Sequence, residues 1–278
     1  MITIGLVELT GTLDYIPESG DGWKLIKLVA KQGIVPVRAF SNPKLNAVAF
    51  LGPSVRRPQL AETAAEKGKH VLLDFPASRT IKSARRIESI ATSNDVIVYS
   101  PNLLKYEPGF QEVKRISSMS KMTSLTVTCG IDAKPTSAEA SMKLAQLLDA
   151  TEWLAGSKIS NLRAEKSSRR SRVSALVALG SFENGVKVML NLYSAPSKRS
   201  RLWIDAVSKA SFLHVDPYAQ TVRLTQFQAE SARELNWATS PLTSMIEDFI
   251  IQVNRGKEPM DLANLERMLN LSDSVTAG

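Results

Sequence analysis

Cysteine, histidine and long apolar runs are scarce in this chain of 278 residues, and each scarcity excludes a class of protein. The single cysteine, Cys129, cannot form an internal disulfide, which is typical of an intracellular protein, and we expect a cytoplasmic location. The longest apolar runs, such as "AVAFLG" and "FIIQV", are far shorter than the roughly 20 residues of a membrane-spanning helix. The start, "MITIGLVEL", lacks the basic region of a signal peptide and predicts a first strand.

Signatures of metal and nucleophile chemistry are also missing. The two histidines, His70 and His214, have no cysteine or acidic cluster at ligand spacing beside them, so we expect structural roles for both and predict no metal. No P-loop, G-x-S-x-G elbow or H-E-x-x-H pair occurs in the sequence. The enzyme classes that these signatures mark are therefore excluded.

Positive charge is in excess, with 35 basic and 27 acidic residues and a net charge of +8. The densest basic cluster is "RAEKSSRRSR", Arg163 to Arg172, and a second is "SKRSR", which ends at Arg201. Neither is interleaved with aromatic residues, as a stacking platform for single-stranded nucleic acid would be. We predict that the first cluster is a solvated loop between strands, with an anionic partner surface and nucleic acid as the less favoured alternatives.

Short apolar runs alternate with helical stretches over the first part of the chain. Runs of four to eight residues without polar alternation are typical of strands covered on both faces. These runs are "ITIGLVEL", "IVPVRAF", "NAVAFLG", "HVLLDF" and "VIVYS", and the helices between them are predicted at Trp23 to Gln32, Pro58 to Lys67 and Thr80 to Thr92. The repeated strand and helix predict a parallel doubly wound sheet in an α/β domain, residues 1–118.

Longer and more alternating strands follow after about residue 120. They are "SLTVTCGI", "SRVSALVALGSF", "GVKVMLNLYSA", "SRLWIDAVS", "ASFLHVDP" and "TVRLTQF", and Asn184-Gly185 predicts a tight hairpin between the second and third of them. Helices are predicted at Ala138 to Leu154 and at Ser240 to Arg255. We therefore predict a second, α+β domain at residues 119–278 with a mostly antiparallel open sheet, and expect the C-terminal helices to pack back on the first domain.

One stretch resembles a known family. The segments "AVAFLGPS", "EKGKHVLLDFP" and "NLLKYEPGF" follow one another without a gap from Ala47 to Pro108. They are similar to the strand and turn, the "GKHV" strand ending in Glu-Lys-Pro and the basic-aromatic-x-Pro stretch of the glucose-fructose oxidoreductase and inositol dehydrogenase (Gfo/Idh/MocA) family. Weaker similarity covers "LAQLLDATEWLAG" and "MIEDFIIQVNRGKEP". The resemblance implies a Rossmann-like domain followed by an α+β domain, and an NAD(P)-dependent oxidoreductase.

The cofactor site that the resemblance implies departs from the family pattern. Glu8, Thr10 and Leu13 stand where the fingerprint glycines belong, and the helix and strand before "NAVAF" are trimmed. Ser41, with Arg38 nearby, stands at the expected end of the second strand and would suit the 2′-phosphate of NADP; a solvated strand end is the alternative. The candidate cofactor-binding residues are Thr10, Gly11, Arg38, Ser41, Gly52 and Pro53, and the cofactor is NAD, NADP or none.

The catalytic positions depart from the family as well. Phe75 stands at the lysine of Glu-Lys-Pro, and Gln146 stands at the family histidine, one helical turn from Asp149. A phenylalanine cannot transfer a proton and a glutamine can only form hydrogen bonds. The remaining candidates for polar or proton-transfer roles are Asp74, Lys105, Tyr106, Gln146 and Asp149. The alternative is structural: Asp74 caps a turn, Lys105 is solvated and Tyr106 packs with its hydroxyl outward.

Two functions stay open from the sequence. The first is a divergent oxidoreductase that acts on a CH-OH group of a small molecule; the second is a binding, regulatory or partner subunit that keeps the fold and has lost the chemistry. The family commonly associates through its second-domain sheet, so we expect a homo-oligomer built through that sheet. We expect neither a membrane nor nucleic acid as a partner.

Overall fold

A computed structural model of the chain describes residues 1–8, 19–28, 37–52, 54, 56–119, 121–131, 135–169, 172–195, 202–217, 219–226, 229–234, 240–256 and 260–276. The chain divides into two compact units. The first unit is Met1–Leu103 with Thr239–Glu266, and the second unit is Leu104–Ala238 with Arg267–Gly278. No helix within the described ranges is long and apolar enough to cross a membrane.

The first unit contains a six-stranded sheet with the order β2-β3-β1-β4-β5-β6. Its strands are β1 (Ile2–Glu8), β2 (Ser19–Gly20), β3 (Trp23–Lys27), β4 (Ala47–Leu51), β5 (His70–Leu73) and β6 (Val98–Tyr99). The pairs β1–β3, β1–β4, β4–β5 and β5–β6 are all parallel. Every residue of β4 is buried, as in a strand covered on both faces. The predicted Rossmann-like parallel sheet is confirmed.

The order of these strands reverses between β1 and β4. After β1 the chain adds β3 on one side of it and then returns to add β4 on the other side. In open α/β sheets, the carboxyl ends of the strands at such a reversal form the crevice in which ligands bind. In this sheet, that crevice lies at the carboxyl ends of β1 and β4.

The helix predicted at Trp23 to Gln32 is wrong, because residues 23–27 form β3. Ser19 and Gly20 pair with Lys24 and Trp23 in an antiparallel hairpin, and the turn Asp21-Gly22 has Gly22 at φ +75°. An Asp-Gly pair is a strong hairpin signal because its glycine tolerates positive φ. Trp23 becomes fully buried through this turn. The missed signal was turn chemistry.

The strand predicted in "IVPVRAF" is also wrong where the structure describes it. Residues 37–41 form a short 3-10 helix in which Phe40 is buried and Val37 is exposed. The Phe40 ring packs edge-on against Phe50 of β4, with ring centroids 5.8 Å apart. Pro36 has no N–H to donate to a neighbouring strand, which disfavours a strand here although the run is apolar. A helical turn that buries one side forms in its place. Arg38 and Ser41 therefore do not end the second strand of the sheet.

Three helices accompany the first sheet: α1 (Arg57–Glu66), α2 (Ile81–Ser93) and α5 (Pro241–Arg255). Their predicted starts are confirmed by side-chain caps on the two longer ones. The Thr80 hydroxyl accepts from the Ser83 N–H at 3.3 Å, and the Ser240 hydroxyl accepts from the Thr243 N–H at 3.1 Å. Gly256 ends α5 in the left-handed conformation.

The second unit contains an eight-stranded sheet with the order β14-β13-β12-β11-β7-β10-β9-β8. Its strands are β7 (Met122–Ile131), β8 (Ile159–Arg169), β9 (Arg172–Phe182), β10 (Lys187–Ser194), β11 (Leu202–Ser208), β12 (Ser211–Asp216), β13 (Thr221–Gln226) and β14 (Ala229–Glu234). Every pairing is antiparallel except β7–β10. The predicted mostly antiparallel sheet and the Asn184-Gly185 hairpin, with Gly185 at φ +87°, are confirmed.

The solvated loop predicted at Arg163 to Arg172 is wrong. Residues 159–169 form β8, an edge strand paired with β9, and Arg172 begins β9. Only Ile159 is buried among the residues of β8 whose side chains are described. Charged side chains along an exposed edge protect it from pairing with another chain, so a polar sequence is compatible with a strand at this place.

The remaining helices are α3 (Pro108–Met119), α4 (Ser137–Ala155) and α6 (Leu262–Thr276). The predicted helix at Ala138 to Leu154 is confirmed as α4. It begins with a capping box between Thr136 and Glu139 and ends at Gly156 in the left-handed conformation. Its buried leucines anchor it in the second unit, and this fixes the direction in which its polar face points.

Candidate functional site

The carboxyl ends of β4 and β5 are joined by a buried arginine. Gly52, at φ +86°, follows β4, and its N–H donates to Asp74 Oδ2 at 3.2 Å. The Arg57 guanidinium forms an ion pair with Asp74 Oδ1 and donates to the carbonyl oxygens of Gly52, at 3.3 Å, and Pro76. Arg57 is 3% exposed. The Asp74 carboxylate is thus held in a structural ion pair.

Arg57 is a site residue that sequence reasoning missed. It is the first residue of α1, where the helix dipole disfavours a positive charge, and the Asp74 carboxylate compensates for this. Its Nε is buried and has no hydrogen-bond partner among the described residues. The only signal in the sequence was an arginine pair directly before Pro58, where a helix start favours acidic or neutral residues.

Phe75 is buried at the position that the family resemblance gives to a lysine. Its side chain is 7% exposed, and its N–H donates to the Pro101 carbonyl at 3.0 Å. The Phe75-Pro76 peptide is cis. The end of β5 therefore carries an apolar side chain in place of a proton-transferring one.

The predicted cofactor residues have different fates. Thr10, Gly11 and Pro53 lie outside the described residues, and Gly52 lies at the carboxyl end of β4, as expected. Arg38 and Ser41 are exposed on the 3-10 helix.

The segment after Ser41 is hydrogen-bonded at the opposite, amino ends of the strands. The Asn46 N–H donates to the Thr3 carbonyl at 2.9 Å, and the Asn46 carbonyl accepts from the N–H of His70, the first residue of β5, at 3.1 Å. These bonds place residue 46 at the amino ends of β1 and β5. The strand-end geometry on which Ser41 and Arg38 were chosen is not formed.

The carboxyl end of the second parallel strand is instead Lys27-Leu28. The Leu28 N–H donates to the Leu6 carbonyl at 2.9 Å. A Cβ at Gly5 would lie 2.6 Å from Leu28 Cδ1, so Gly5 makes room for this side chain. Lys27 is exposed and is the basic residue nearest in sequence to this strand end.

The architecture of the sheet at these carboxyl ends would suit a dinucleotide. The strand order reverses between β1 and β4, and a glycine with positive φ ends β4, which lets a backbone approach a ligand closely. One polar group is already used, because the Gly52 N–H donates to Asp74. The described residues that would hold the group are Gly52 and Lys27.

The second unit brings two of the predicted catalytic residues together. Lys105 Nζ lies 2.9 Å from Asp149 Oδ2. Lys105 and Tyr106 belong to a 3-10 helix, Leu103–Tyr106, whereas Asp149 lies on α4. Asp149 is largely buried, Lys105 and Tyr106 are half-buried, and the pair joins segments more than forty residues apart in sequence. Lys105 is therefore not a solvated side chain.

Gln146 lies one turn before Asp149 and binds a second lysine. Lys143 Nζ donates to Gln146 Oε1 at 2.8 Å. Burial raises the pKa of Glu107 and of the Cys129 thiol, and the positive charge of Lys143 opposes this more weakly. The pKa of Glu107 is raised to about 7. Sequence reasoning missed Glu107 and Lys143; their only signal was their position beside Tyr106 and Gln146.

Each histidine forms a hydrogen bond in one of the two sheets. His70 Nδ1 accepts from the Ile97 N–H at 3.0 Å, and His214 Nδ1 lies 2.6 Å from Asp205 Oδ1 of the neighbouring strand. In the described part of the chain, no three side chains of histidine, cysteine, aspartate or glutamate form a group that could hold a metal ion.

No protein-family model matches the sequence, and no curated protein matches it. Solved structures do match over the whole chain. UDP-N-acetylglucosamine 3-dehydrogenase from Acidithiobacillus ferrooxidans has a TM-score of 0.76 and 17% identity, with 99% of this chain and 97% of that chain covered. Aldose-aldose oxidoreductase from Caulobacter crescentus has a TM-score of 0.79 and 13% identity, with 98% and 96% covered.

A third match is biliverdin reductase from Synechocystis sp. PCC 6803, in complex with biliverdin and NADP+. Its TM-score is 0.72 and its identity is 13%, with 99% of this chain and 98% of that chain covered. At these identities the likeness shows the fold. The chain has the α/β two-domain fold of Gfo/Idh/MocA-type dehydrogenases, and the resemblance noted in the sequence is confirmed at that level.

Proposed function

We propose that this protein is a divergent NAD(P)-dependent oxidoreductase whose proton-transfer groups lie in the second unit and not at the end of β5. The observation that carries the proposal is the Lys105–Asp149 ion pair beside Gln146. These three residues were chosen from the sequence for chemistry. Lys105 and Asp149 come from segments far apart in the chain, and Gln146 lies one turn before Asp149 on α4. The full-length likeness to dehydrogenases and reductases supports the same conclusion.

The chemistry of this group of residues suits a small molecule with hydroxyl or carbonyl oxygens. The Lys105 ammonium donates hydrogen bonds to an oxygen, and Asp149 holds it in position. Gln146 contributes a neutral amide, and its carbonyl oxygen is already engaged by Lys143. When bound, the nicotinamide would supply the hydride chemistry, which no amino-acid side chain can provide. Phe75 takes no part in proton transfer.

The test is titration of the protein with NADH and NADPH, followed by nicotinamide fluorescence and thermal stabilisation. We expect saturable binding and a rise in Tm, because a ligand that binds only the folded state stabilises it. A variant Lys27→Glu should weaken binding of NADPH more than binding of NADH, and Lys82→Glu on α2 is the matched control. No shift in Tm at dinucleotide concentrations far above cellular ones would contradict the proposal.

A binding, regulatory or partner subunit without catalysis is the second candidate function. The Arg57 network favours it, because Asp74 is held in a buried ion pair and Phe75 is buried at the family lysine position. Binding of a dinucleotide without oxidation of any sugar or reduction of any carbonyl would support this candidate. A Phe75→Lys variant that gains turnover would show that the remaining machinery still functions.

The partner we propose is a second copy of the chain, bound through the open face of the second-unit sheet. Val177, Leu179 and Phe212 are exposed apolar side chains on this sheet. Leu179 pairs with Met189, and the same row of paired residues crosses the sheet through Thr126 to the residue two positions after Phe212. Val177 is two positions before Leu179. The three apolar side chains therefore lie on one face of the sheet.

A cytoplasmic location stays a prediction.

A further inference from the structure

The positive charge of the chain is concentrated in one segment of the first unit. Residues 22–61 contain seven basic residues and no acidic one, and the net charge of the whole chain is +8. The segment includes β3, the 3-10 helix, β4 and the start of α1. Its basic residues are Lys24, Lys27, Lys31, Arg38, Lys44, Arg56 and Arg57. This part of the first unit therefore favours an anionic ligand.

The structure separates these basic residues by position. Arg57 is buried and neutralised by Asp74, so it offers no free charge to a ligand. Lys24, the second residue of β3, lies toward the amino end of that strand. Lys27 is the last residue of β3, and Arg56 directly precedes α1. Lys27 and Arg56 are therefore the exposed basic residues that the structure describes at the carboxyl ends of β3 and β4.

Lys27 ends the strand that would contact the adenosine ribose of a dinucleotide. β3 is the next parallel strand after β1, and it lies on the side of β1 away from β4. Lys27 pairs with Leu6, and the Leu28 N–H fixes this strand end by donating to the Leu6 carbonyl at 2.9 Å. In dinucleotide folds, an acid near this strand end hydrogen-bonds the 2′-OH of NAD, whereas a basic residue accommodates the 2′-phosphate of NADP.

No acidic residue follows β3 to take the ribose role. The sequence from Lys27 to Ala61 contains neither aspartate nor glutamate, so the stretch after the strand offers no carboxylate in any conformation. A carboxylate there would also repel a 2′-phosphate. Glu8 is the last residue of the neighbouring strand β1, where the fold places the pyrophosphate that NAD and NADP share. Its charge therefore acts on both dinucleotides and does not favour NAD.

The Lys27 ammonium can bind a phosphate as a point charge. Its side chain is exposed and has no hydrogen-bond or ion-pair partner among the described residues. A phosphate monoester carries close to two negative charges at neutral pH, whereas a ribose hydroxyl carries none. Lys27 therefore strengthens the binding of NADP and contributes little to the binding of NAD.

We propose that the first unit selects NADP(H) over NAD(H), and that Lys27 is the residue that binds the 2′-phosphate; this rests on the proposed dinucleotide-dependent function. The structure thereby moves this role from Arg38 and Ser41, which the sequence suggested, to the observed end of the second parallel strand. All residues that carry the selection belong to the first unit.

The experiment compares the dissociation constants of NADPH and NADH by nicotinamide fluorescence at about 50 mM and about 500 mM salt. For wild type at low salt, we expect NADPH to bind about 10-fold more tightly than NADH or better, because one more charged contact forms. The difference should shrink at high salt, since an exposed charge pair is screened.

Two substitutions at Lys27 and one control separate a local contact from the charge of the whole segment. Lys27→Gln should weaken NADPH binding about 10-fold, leave NADH binding unchanged and keep the Tm of wild type, because the residue is exposed. Lys27→Arg should keep the preference for NADPH. Lys24→Gln removes the same charge from an exposed position of the same strand and should also keep it.

Two fragments of equal charge test the position of the phosphate. 2′,5′-ADP and 3′,5′-ADP differ only in the ribose carbon that carries the second phosphate, and each is used to displace NADPH. We expect 2′,5′-ADP to displace NADPH from wild type at the lower concentration, and Lys27→Gln to remove this difference. Equal displacement from wild type would indicate general attraction by positive charge and would overturn the assignment of Lys27.

The remaining contrary outcomes distinguish this proposal from the proposed function. If NADH binds wild type as tightly as NADPH, the selection of NADP(H) is overturned and the proposed function stands. A preference that persists in Lys27→Gln, or that is lost equally in Lys24→Gln, overturns the role of Lys27. If wild type binds neither dinucleotide, both proposals fail, and this is seen before any variant is made.

Discussion

At the scale of single residues, burial and a specific partner decide what a titratable side chain does. His70 Nδ1 accepts a hydrogen bond from the Ile97 N–H at 3.0 Å, and this requires the unprotonated nitrogen. Burial lowers the pKa of His70 below the ordinary 6.5, although the charge of Asp95 opposes this. His70 thus links the start of β5 to the segment before β6 only in its neutral form.

Because of His70, we expect the free energy of unfolding to fall as the pH is lowered. Because the unfolded state binds the proton more tightly than the folded state, the contribution of His70 is complete above pH 6.5 and is lost as pH falls below it. Urea denaturation of wild type and His70→Gln at pH 7.5 and pH 5.5 measures the effect. The variant should show the smaller loss; equal losses would contradict the assignment.

Single residues also mark the limit of what the sequence predicts about the site. Lys105, Gln146 and Asp149 were selected because family motifs recur at these positions, and the structure brings Lys105 and Asp149 into contact. Arg57 and Glu107 were missed because burial and charged partners that only the fold brings near determine their environments. An arginine at a helix start and a glutamate before a proline look like ordinary surface residues until the partner is known.

At the scale of elements, Arg57 connects the start of α1 to the ends of β4 and β5. Arg57→Met should lower the free energy of unfolding by about 3–5 kcal/mol, because it leaves Asp74 without its buried partner. Asp74→Asn added to Arg57→Met should recover part of this loss. Chemical denaturation of the two single variants and the double variant measures the coupling.

The matched control is Arg85→Met on α2. Arg85 pairs with Glu266 at 3.0 Å, but both side chains are exposed. Exposed ion pairs contribute about 1 kcal/mol or less, so this variant should stay close to wild type. Similar losses for the two arginines would show that the Arg57 network does not connect the strand ends.

The β2–β3 hairpin provides a test of turn chemistry. A Cβ at Gly22 meets no atom within 4 Å, so the cost of Gly22→Ala comes from the backbone at φ +75° alone. We expect a loss of about 1 kcal/mol in the free energy of unfolding. Gly22→Asn should cost less, because asparagine tolerates this conformation; the reverse order in urea denaturation would argue against the hairpin turn.

Elements with long periodic patterns or full burial were predictable, and those set by turns or edges were not. The apolar stripe and cap of α5 and the apolar run of β4 lead directly to the observed structure. Trp23 to Lys27 has the composition of either a helix or a strand, and the preceding Asp-Gly turn decides between them. β8 lies at an edge and stays polar, so its sequence resembles a loop.

At the scale of the whole molecule, association with a second copy is the open prediction. Leu179 on β9 is 54% exposed, and an apolar side chain of this size on a sheet face favours burial against a partner. Wild type should be a dimer or larger by light scattering at micromolar concentration, and Leu179→Glu should shift it toward the monomer. Ile26→Glu, at another exposed apolar position, on β3 of the first unit, should leave the mass unchanged. A monomeric wild type would contradict the prediction.

The contact between Tyr99 and α5 has a consequence for synthesis on the ribosome. The Tyr99 ring stacks on Phe249, with centroids 6.4 Å apart, and the Tyr99 hydroxyl donates to Asp248, which lies 149 residues later in the chain. While the second unit is being translated, the edge of the nascent first sheet still lacks this partner. The unit that emerges first is therefore completed only when α5 leaves the exit tunnel, so a chain interrupted before residue 240 would expose that edge to chaperones and proteases.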